Sequence, residues 1–232
     1  MTNSTGTLYL VSTPIGNLAD ITYRAVDILN SVDIIAAEDT RRSRILLSNY
    51  NIKTRMISYF EHNKYYKIGI IKEKLINGCS VAVITDAGTP AISDPAYKLV
   101  REAIRINSKI ESIPGPSAVL ASIVASGLPT DRFIFEGFLP PKKGRKKRIE
   151  NMNNESATII IYENILRLRK TIKQILEIMG DRPAVICREL TKMHEHIIRG
   201  TLSSLLELLE SKTFKGECVL LIGKDDENVY FE

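Results

Sequence analysis

Apolar residues recur along the chain in short blocks of two kinds. Runs at 8–12, 32–37, 81–84 and 110–113 are compact and largely β-branched, as expected of strands covered on both faces. Between them the apolar positions fall three or four apart. Ile68, Ile71 and Leu75 lie on one face of a helix over 64–77 that Gly78 stops, and Ala96, Leu99, Val100 and Ala103 form one face of a helix after Pro95. A helix over 21–30, a short strand over 56–59 and a helix of small residues from Ser117 to Gly127 complete a βα alternation, which predicts a parallel sheet. Beyond Gly127 the texture becomes richer in strands, at 133–138, 157–162, 184–188, 197–199 and 218–222. One helix runs over 166–179 to Gly180, and another, capped by Thr201, is built on Leu202, Leu205, Leu206 and Leu209. The expected fold class is α/β, with one domain over 1–116 and a smaller α/β domain with hairpins over 117–225. Residues 226–232 are set apart as a tail, because 227–232 is similar to a protease-cleavable linker at all but two positions.

Where the strands stop, the sequence turns to small and rigid residues. Strand 81–84 runs into Thr85-Asp86-Ala87-Gly88-Thr89-Pro90, with Asp94 expected to cap the next helix and Pro95 to occupy its first position. Strand 8–12 ends in Thr13-Pro14-Ile15-Gly16-Asn17-Leu18, and strand 110–113 in Pro114-Gly115-Pro116, with Ser117 placed to cap the helix that follows. In open α/β sheets the ligand crevice lies at the carboxyl ends of the strands, so one crevice lined by all three loops is the functional reading; tight connections without a ligand are the structural one. No Gly-x-Gly-x-x-Gly or Gly-x-x-x-x-Gly-Lys-Ser is present, and the prolines remove N–H donors that a pyrophosphate would need. A ligand without phosphates, such as S-adenosylmethionine, suits these loops better.

Strand 32–37 ends differently, in Glu38-Asp39-Thr40 followed by Arg41 and Arg42. Two carboxylates and an arginine at a strand's carboxyl end are candidate crevice residues; the structural alternative is a helix cap at Asp39 or Thr40 with an ion pair.

Composition changes the picture in three places. With 44% apolar residues among 232, the chain can bury a substantial core. The polar start from Met1 to Gly6 and the lack of any long apolar run point to a soluble protein in a cytoplasmic setting. Cys79, Cys187 and Cys218 are far apart and mostly in apolar runs, which fits core residues rather than disulfides or a metal cluster, and His194 and His196 have no third ligand nearby in sequence, so no metal is expected. The net charge of +5 is concentrated. Lys142, Lys143, Arg145, Lys146, Lys147 and Arg148 place six cations within seven positions, which is either a solvated surface or the footprint of a phosphate backbone.

Thr-Pro-Ile-Gly-Asn-Leu-Ala-Asp-Ile-Thr at 13–22, Ala-Glu-Asp-Thr-Arg at 37–41, Thr-Asp-Ala-Gly-Thr-Pro-Ala-Ile-Ser-Asp-Pro at 85–95 and Pro-Gly-Pro-Ser-Ala at 114–118 resemble the ribosomal RNA small subunit methyltransferase I family of the tetrapyrrole-methylase-like superfamily. The likeness continues through Glu136-Gly137-Phe138-Leu139-Pro140, Arg188-Glu189-Leu190-Thr191-Lys192, Arg199-Gly200-Thr201 and Lys215-Gly216-Glu217, and so spans 7–223. It implies a two-domain class III methyltransferase with the cofactor cleft between its domains, acting as a homodimer. The implied reaction moves a methyl group from S-adenosylmethionine to the ribose 2′-hydroxyl of a cytidine in 16S small-subunit ribosomal RNA. Carried over residue by residue, the cofactor contacts are Pro14, Ala87, Gly88, Thr89, Ile92, Ser117, Ala118, Tyr162, Glu163 and Leu190. Two departures stand out. Tyr162-Glu163-Asn164-Ile165-Leu166-Arg167-Leu168 lacks the proline and histidine usual in the family, and longer members carry a helical C-terminal extension with no counterpart here.

Methyl transfer from a sulfonium draws its driving force from the cofactor, so the protein supplies alignment and proton handling. A ribose hydroxyl gains from a carboxylate or a neutral lysine that takes its proton. Asp39 is the first candidate base and Glu38 the second. Arg41 is placed to hold an RNA phosphate, and Lys192 to orient the nucleotide or, with a pKa lowered by burial, to act as base. The structural alternatives are ion pairs of Asp39 with Arg41 or Arg42 and of Lys192 with Glu189 or Glu195. RNA methylation competes with methylation of a tetrapyrrole or other small molecule, which would not use a cationic segment, and with non-catalytic RNA binding on the same fold.

Overall fold

The computed structural model describes residues 5–212 and 214–231. The chain divides between Ser117 and Ala118 into two compact units. In the first, strands β1 (Thr7–Val11), β2 (Ile34–Ala37), β3 (Met56–Ser58), β4 (Val81–Ile84) and β5 (Lys109–Ile113) form one sheet in the order β3-β2-β4-β1-β5. Every pairing is parallel. Helices α1 (Tyr23–Ser31), α2 (Thr40–Asn49), α3 (Lys64–Ile76) and α4 (Ala96–Arg105) connect the strands. Alternation along β4 divides the core: Val81 and Val83 pack with Ile68, Ile71 and Leu75 of α3 and Leu99 of α4, while Ala82 and Ile84 pack with Ala25 and Leu29 of α1 and Leu47 of α2. Both faces are thus covered, which is why these strands read as continuous apolar runs. The first helix starts at Tyr23, with Thr22 as its cap and a 3-10 turn over Leu18–Asp20 ahead of it, rather than at Ile21.

The second unit begins with α5 (Ala118–Ser126) and builds a sheet from β6 (Phe133–Phe138), β7 (Thr158–Asn164), β8 (Pro183–Arg188), β9 (His196–Thr201) and β10 (Glu217–Ile222), in the order β6-β7-β10-β8-β9. β6 and β7 are parallel and the other pairs antiparallel, including the β8–β9 hairpin. Helices α6 (Arg145–Met152), α7 (Ile165–Met179) and α8 (Leu202–Ser211) supply Ile149, Leu168, Ile172, Ile175 and Leu202 to the core over this sheet.

Two expectations change here, and one helix forms where the sequence reading assigned no element. The basic segment continues into the helix α6. Its Arg145, Ile149 and Met152 are all buried and fall at helical spacing, but a cation holds the first of those inward positions and hides the pattern. The tail also packs on its own unit: Val229 is buried, and the Tyr230 hydroxyl donates to the Asp181 carbonyl. Finally, α4 starts at Ala96, with Pro95 just ahead of it instead of at its first position. Among the described residues no helix is long and apolar enough to cross a membrane.

Candidate active site

The three strand-end loops of the first unit are laced together by hydrogen bonds. Thr13 and Gly88 exchange backbone N–H···O bonds, both of 3.0 Å, joining the loop after β1 to the loop after β4. The Ser12 and Thr89 hydroxyls are 3.0 Å apart, Thr89 donates to the Pro116 carbonyl after β5 at 3.2 Å, and the Thr13 hydroxyl donates to the Thr85 carbonyl at 3.1 Å. Pro14, Ala87, Gly88 and Thr89 are therefore brought into one neighbourhood by the parallel sheet. Gly88 has φ +84°, in the left-handed region, while a Cβ placed there would stand 3.4 Å from Ile15 Cγ2, so the backbone more than crowding demands glycine. Beyond it, Ala91 (φ 70°) and Ser93 (φ 63°) also hold left-handed conformations without being glycine. Asp94 fixes this kink by accepting the N–H groups of Ala91 at 2.8 Å and Ala96 at 2.7 Å, so it serves the helix start although Pro95 intervenes. Ile92, at the crest, is exposed. Ser117 closes the first unit and Ala118 opens α5 of the second.

At the end of β2, Asp39 caps α2 by accepting the Arg41 N–H, and both its carboxylate oxygens are bonded by the Arg41 guanidinium, at 3.1 and 2.9 Å. These bonds hold the Asp39 carboxyl down to about 2. The cap and the ion pair coincide with the candidate site, and the Arg41 side chain is 89% exposed, open to exchange Asp39 for another anion. Glu38 accepts the Thr85 hydroxyl at 2.5 Å. Asp86, absent from the candidates drawn from sequence, joins them: it accepts the Asp39 N–H at 3.0 Å and pairs with Arg42 at 3.2 Å. Burial raises its pKa, helped by the charge of Glu38, and burial likewise raises that of Asp94. Asp86 stands inside the quoted Thr-Asp-Ala-Gly-Thr-Pro segment, but β2 and β4 must pair before it meets Glu38 and Asp39.

A small cleft of about 10 Å³ lies beside this edge, lined by Glu38, Tyr59, Val83, Ile84, Thr85, Pro90, Asp94, Pro95 and Ala96. Its lining holds two carboxylates, apolar surface and no cation. Such a lining repels phosphate and suits positive charge, as on the sulfonium of S-adenosylmethionine, but the cleft is too small to hold that cofactor and is lined by none of the contacts that the resemblance implies.

In the second unit the ends of β7 and β10 meet the loop after β8. Tyr162 packs edge-on against Phe135 and Phe138, with ring centroids 4.8 and 5.5 Å away, and burial raises its pKa while the Val119 backbone at the start of α5 hydrogen-bonds to it. Leu190 is buried between Glu189 (φ 50°) and Thr191 (φ 65°), a second left-handed pair outside glycine.

For Glu163 only the backbone is left to meet a ligand. Its side chain is wholly buried and bonded by Arg145 at 3.3 Å, by the Arg167 guanidinium and by the Thr171 hydroxyl at 2.6 Å, so its carboxylate serves this unit's own core and not a ligand. Burial by itself would raise the Glu163 pKa, but the bonds from Thr171 and Arg167 outweigh it and bring the pKa below the ordinary value. Arg145 is corrected for the same reason. Its guanidinium also reaches Gln174 and the Pro140 carbonyl, so it is no surface cation for RNA. Lys142, Lys143, Lys146, Lys147 and Arg148 are exposed; Lys146 pairs with Glu150 and Arg148 with Glu136.

Lys192 bonds to Glu189 at 3.0 Å and Glu217 at 2.8 Å. Partial burial lowers its pKa, but the two carboxylates more than reverse this and the net shift is upward. The lowered pKa that a base would need is absent, and Lys192 remains a cation. Glu189 and Glu217 are its partners, not Glu195, whose carboxylate accepts the Thr191 N–H. Among the described residues no group of three or more His, Cys, Asp or Glu is arranged to hold a metal.

A parallel sheet with small-residue loops at its carboxyl edge, followed by a mixed sheet on a second unit, defines the class. Residues 7–206 match the family of Tetrapyrrole (Corrin/Porphyrin) Methylases. The fold is shared with a cobalt precorrin-4 methyltransferase, a cobalamin biosynthetic enzyme, at TM-score 0.70 with 19% identity over 94% of each chain. It is shared too with a diphthine synthase, at TM-score 0.74 with 15% identity over 94% of this chain and 90% of that one. Closer in sequence are proteins named Ribosomal RNA small subunit methyltransferase I. The Halalkalibacterium halodurans relative is 46% identical over 97% of this chain and 78% of its own length, and the Thermotoga maritima relative 45% identical over 95% of this chain and all of its own. The chain belongs to the ribosomal RNA small subunit methyltransferase I family within the tetrapyrrole methylases.

Proposed function

We propose that this protein transfers the methyl group of S-adenosylmethionine to the 2′-hydroxyl of a cytidine ribose in 16S small-subunit ribosomal RNA. The observation that carries the reading is the carboxyl edge of the first sheet: loops around Gly88 that carry no phosphate-binding motif adjoin, through the bond from the Asp39 N–H to Asp86, a carboxylate, Asp39, held by an exposed arginine. Relatives 45% and 46% identical to this chain over nearly its whole length are named for small-subunit ribosomal RNA, which supports the choice of substrate over a tetrapyrrole.

The cofactor supplies an activated methyl group; this chain's residues align, hold and deprotonate. Pro14, Ala87, Gly88, Thr89, Ile92 and Ser117 from the first unit, with Ala118, Tyr162 and Leu190 from the second, are assigned to cofactor binding. An RNA phosphate competes with Asp39 for Arg41 and frees the carboxylate, which then accepts the proton of the ribose hydroxyl at an unprotonated Oδ. Asp39 with Arg41 attached is a weak base, so deprotonation waits until RNA is present. Glu38, bonded to Thr85, holds the loop and is the alternative acceptor. Lys192, kept charged by its two glutamates, orients the nucleotide. Lys142, Lys143, Lys146, Lys147 and Arg148 follow the RNA backbone. The active form is assigned as a homodimer working in the cytoplasm on the RNA or the 30S subunit.

The test supplies labelled S-adenosylmethionine with unmethylated small subunits, naked 16S RNA and a precorrin, each separately, and maps the label. Label on a cytidine 2′-oxygen supports the reading. Label only in the precorrin, or none despite RNA binding, overturns it.

A further inference from the structure

Helices α3 and α4 leave the same sheet edge as the candidate site, because α3 follows the loop after β3 and α4 the loop after β4. The Tyr59 hydroxyl donates to the Pro95 carbonyl at 2.8 Å and ties these two helix starts together. The apolar faces of both helices are turned to the core, yet three tyrosines sit in their opening turns pointing away from it. Tyr65 is 71% exposed, Tyr66 73% and Tyr97 58%. Burial explains none of them.

Tyr65 and Tyr66 stand among cations, and Tyr97 precedes one of them, Lys98, on α4. The Lys98 ammonium donates to the Tyr65 hydroxyl at 2.6 Å and lies 4.6 Å from its ring centroid, and Lys67 lies 5.7 Å from the Tyr66 centroid. Glu61 is the acid whose charge reaches Tyr65 and Lys98, and it pairs with Lys64. The surface is therefore aromatic and positive at once. A tyrosine face stacks on any base, and lysines beside it meet the phosphates between bases, the combination by which proteins hold unpaired nucleic acid without reading its sequence.

We propose that Tyr65, Tyr66 and Tyr97, with Lys67 and Lys98, form a stacking platform for a single-stranded stretch of RNA flanking the nucleotide to be methylated. The proposal rests on the assignment of an RNA substrate and adds where unpaired bases are held. A second copy of this chain would also cover exposed rings, but it would not call for lysines beside them, whereas the negative phosphates of RNA do. Base pairing hides the faces that a platform needs, so a duplex gains little from it.

The test measures binding of fluorescently labelled single-stranded and double-stranded oligoribonucleotides by anisotropy. It compares the unaltered protein, a triple Tyr65→Ala, Tyr66→Ala, Tyr97→Ala variant and the corresponding triple Phe variant, with sedimentation velocity and S-adenosylmethionine titration on each. The Ala variant should lose about tenfold or more in affinity for the single strand and little for the duplex, with cofactor affinity unchanged, while the Phe variant, which keeps the rings, stays close to the unaltered protein. Equal affinity for the single strand in the Ala variant overturns the platform. So does a loss shared by the Phe variant, and so does a fall in molecular mass, which would assign the rings to contact between copies. If the unaltered protein methylates RNA while the Ala variant binds it undiminished, the platform fails and the methyltransferase reading stands; if the unaltered protein neither binds nor methylates RNA, both fall.

Discussion

Gly88 shows how one backbone angle decides a site. At φ +84° a β-branched residue is strained by about 1–3 kcal/mol even where its Cβ has room, as it does here. Gly88→Val should lower the urea midpoint accordingly and cost at least tenfold in S-adenosylmethionine affinity by calorimetric titration; a folded variant with normal affinity would take the loop out of the cofactor site. Asp39 does two jobs that one substitution separates. Asparagine also caps helices well, so Asp39→Asn should keep α2 and cofactor affinity while kcat falls roughly 10²-fold or more through loss of the proton acceptor. An unchanged kcat would pass the role to Glu38. Arg145 and Lys147 look alike in sequence but should respond differently. Arg145→Ala leaves the buried Glu163 with fewer partners and should cost about 3 kcal/mol in urea unfolding, whereas Lys147→Ala at the surface should change stability by less than about 0.5 kcal/mol. Two residues apart, they divide structure from surface charge.

That contrast marks what an element shows before it folds. The strands and helices around β4 were legible because covered strands are apolar throughout and their helices carry one apolar stripe, a pattern that local sequence displays without knowledge of partners. Helix α6 was not, because its inward face begins with a cation whose countercharge, Glu163, is supplied from β7. The loops around Pro14, Gly88 and Gly115 could be read as rigid, but the acid group of Glu38, Asp39 and Asp86 could not: it forms only when β2 and β4 pair in register, Ala37 beside Ile84. The inward turn of Arg145 also changes which cations are free to meet RNA. No ion pair ties Lys142, Lys143 or Lys147 to an acid among the described residues, whereas Lys146 and Arg148 have acidic partners. Replacing those three lysines with glutamine should weaken RNA binding and flatten the plot of log affinity against log salt by about 2, near 0.7 for each phosphate of a single strand left without its lysine, with cofactor affinity held. Equal loss of RNA and cofactor binding would instead mean damage to the fold.

The two units bury their carboxylates in opposite electrostatic settings, and acid should tell them apart. In the second, buried Glu163 has its pKa depressed by the Thr171 and Arg167 bonds, though burial opposes them. Its stabilisation is complete above the ordinary carboxylate range and is lost as pH falls through the depressed value. In the first, burial raises Asp86 and Asp94, so the sign reverses. Their ionised forms cost stability at neutral pH, and the cost is relieved as pH falls through their raised values. Asp39 loses its favourable contribution as pH falls from its ordinary value of 3.8 to about 2, but it is exposed enough for solvent to screen that contribution. Between about pH 5 and pH 3 the second unit should therefore weaken more than the first, where the relief of Asp86 and Asp94 offsets the lowered carboxyls of Asp33, Asp39 and Glu61. Hydrogen exchange across that range should show β7 and β10 losing protection before β1 and β4, after correction for the intrinsic pH dependence of exchange. Glu163→Gln should reduce the pH sensitivity of the second unit and lower its stability at neutral pH, since Arg145 and Arg167 lose their countercharge. Simultaneous loss across both sheets would mean that the units unfold as one cooperative body and that the buried carboxylates of the first do not offset those of the second.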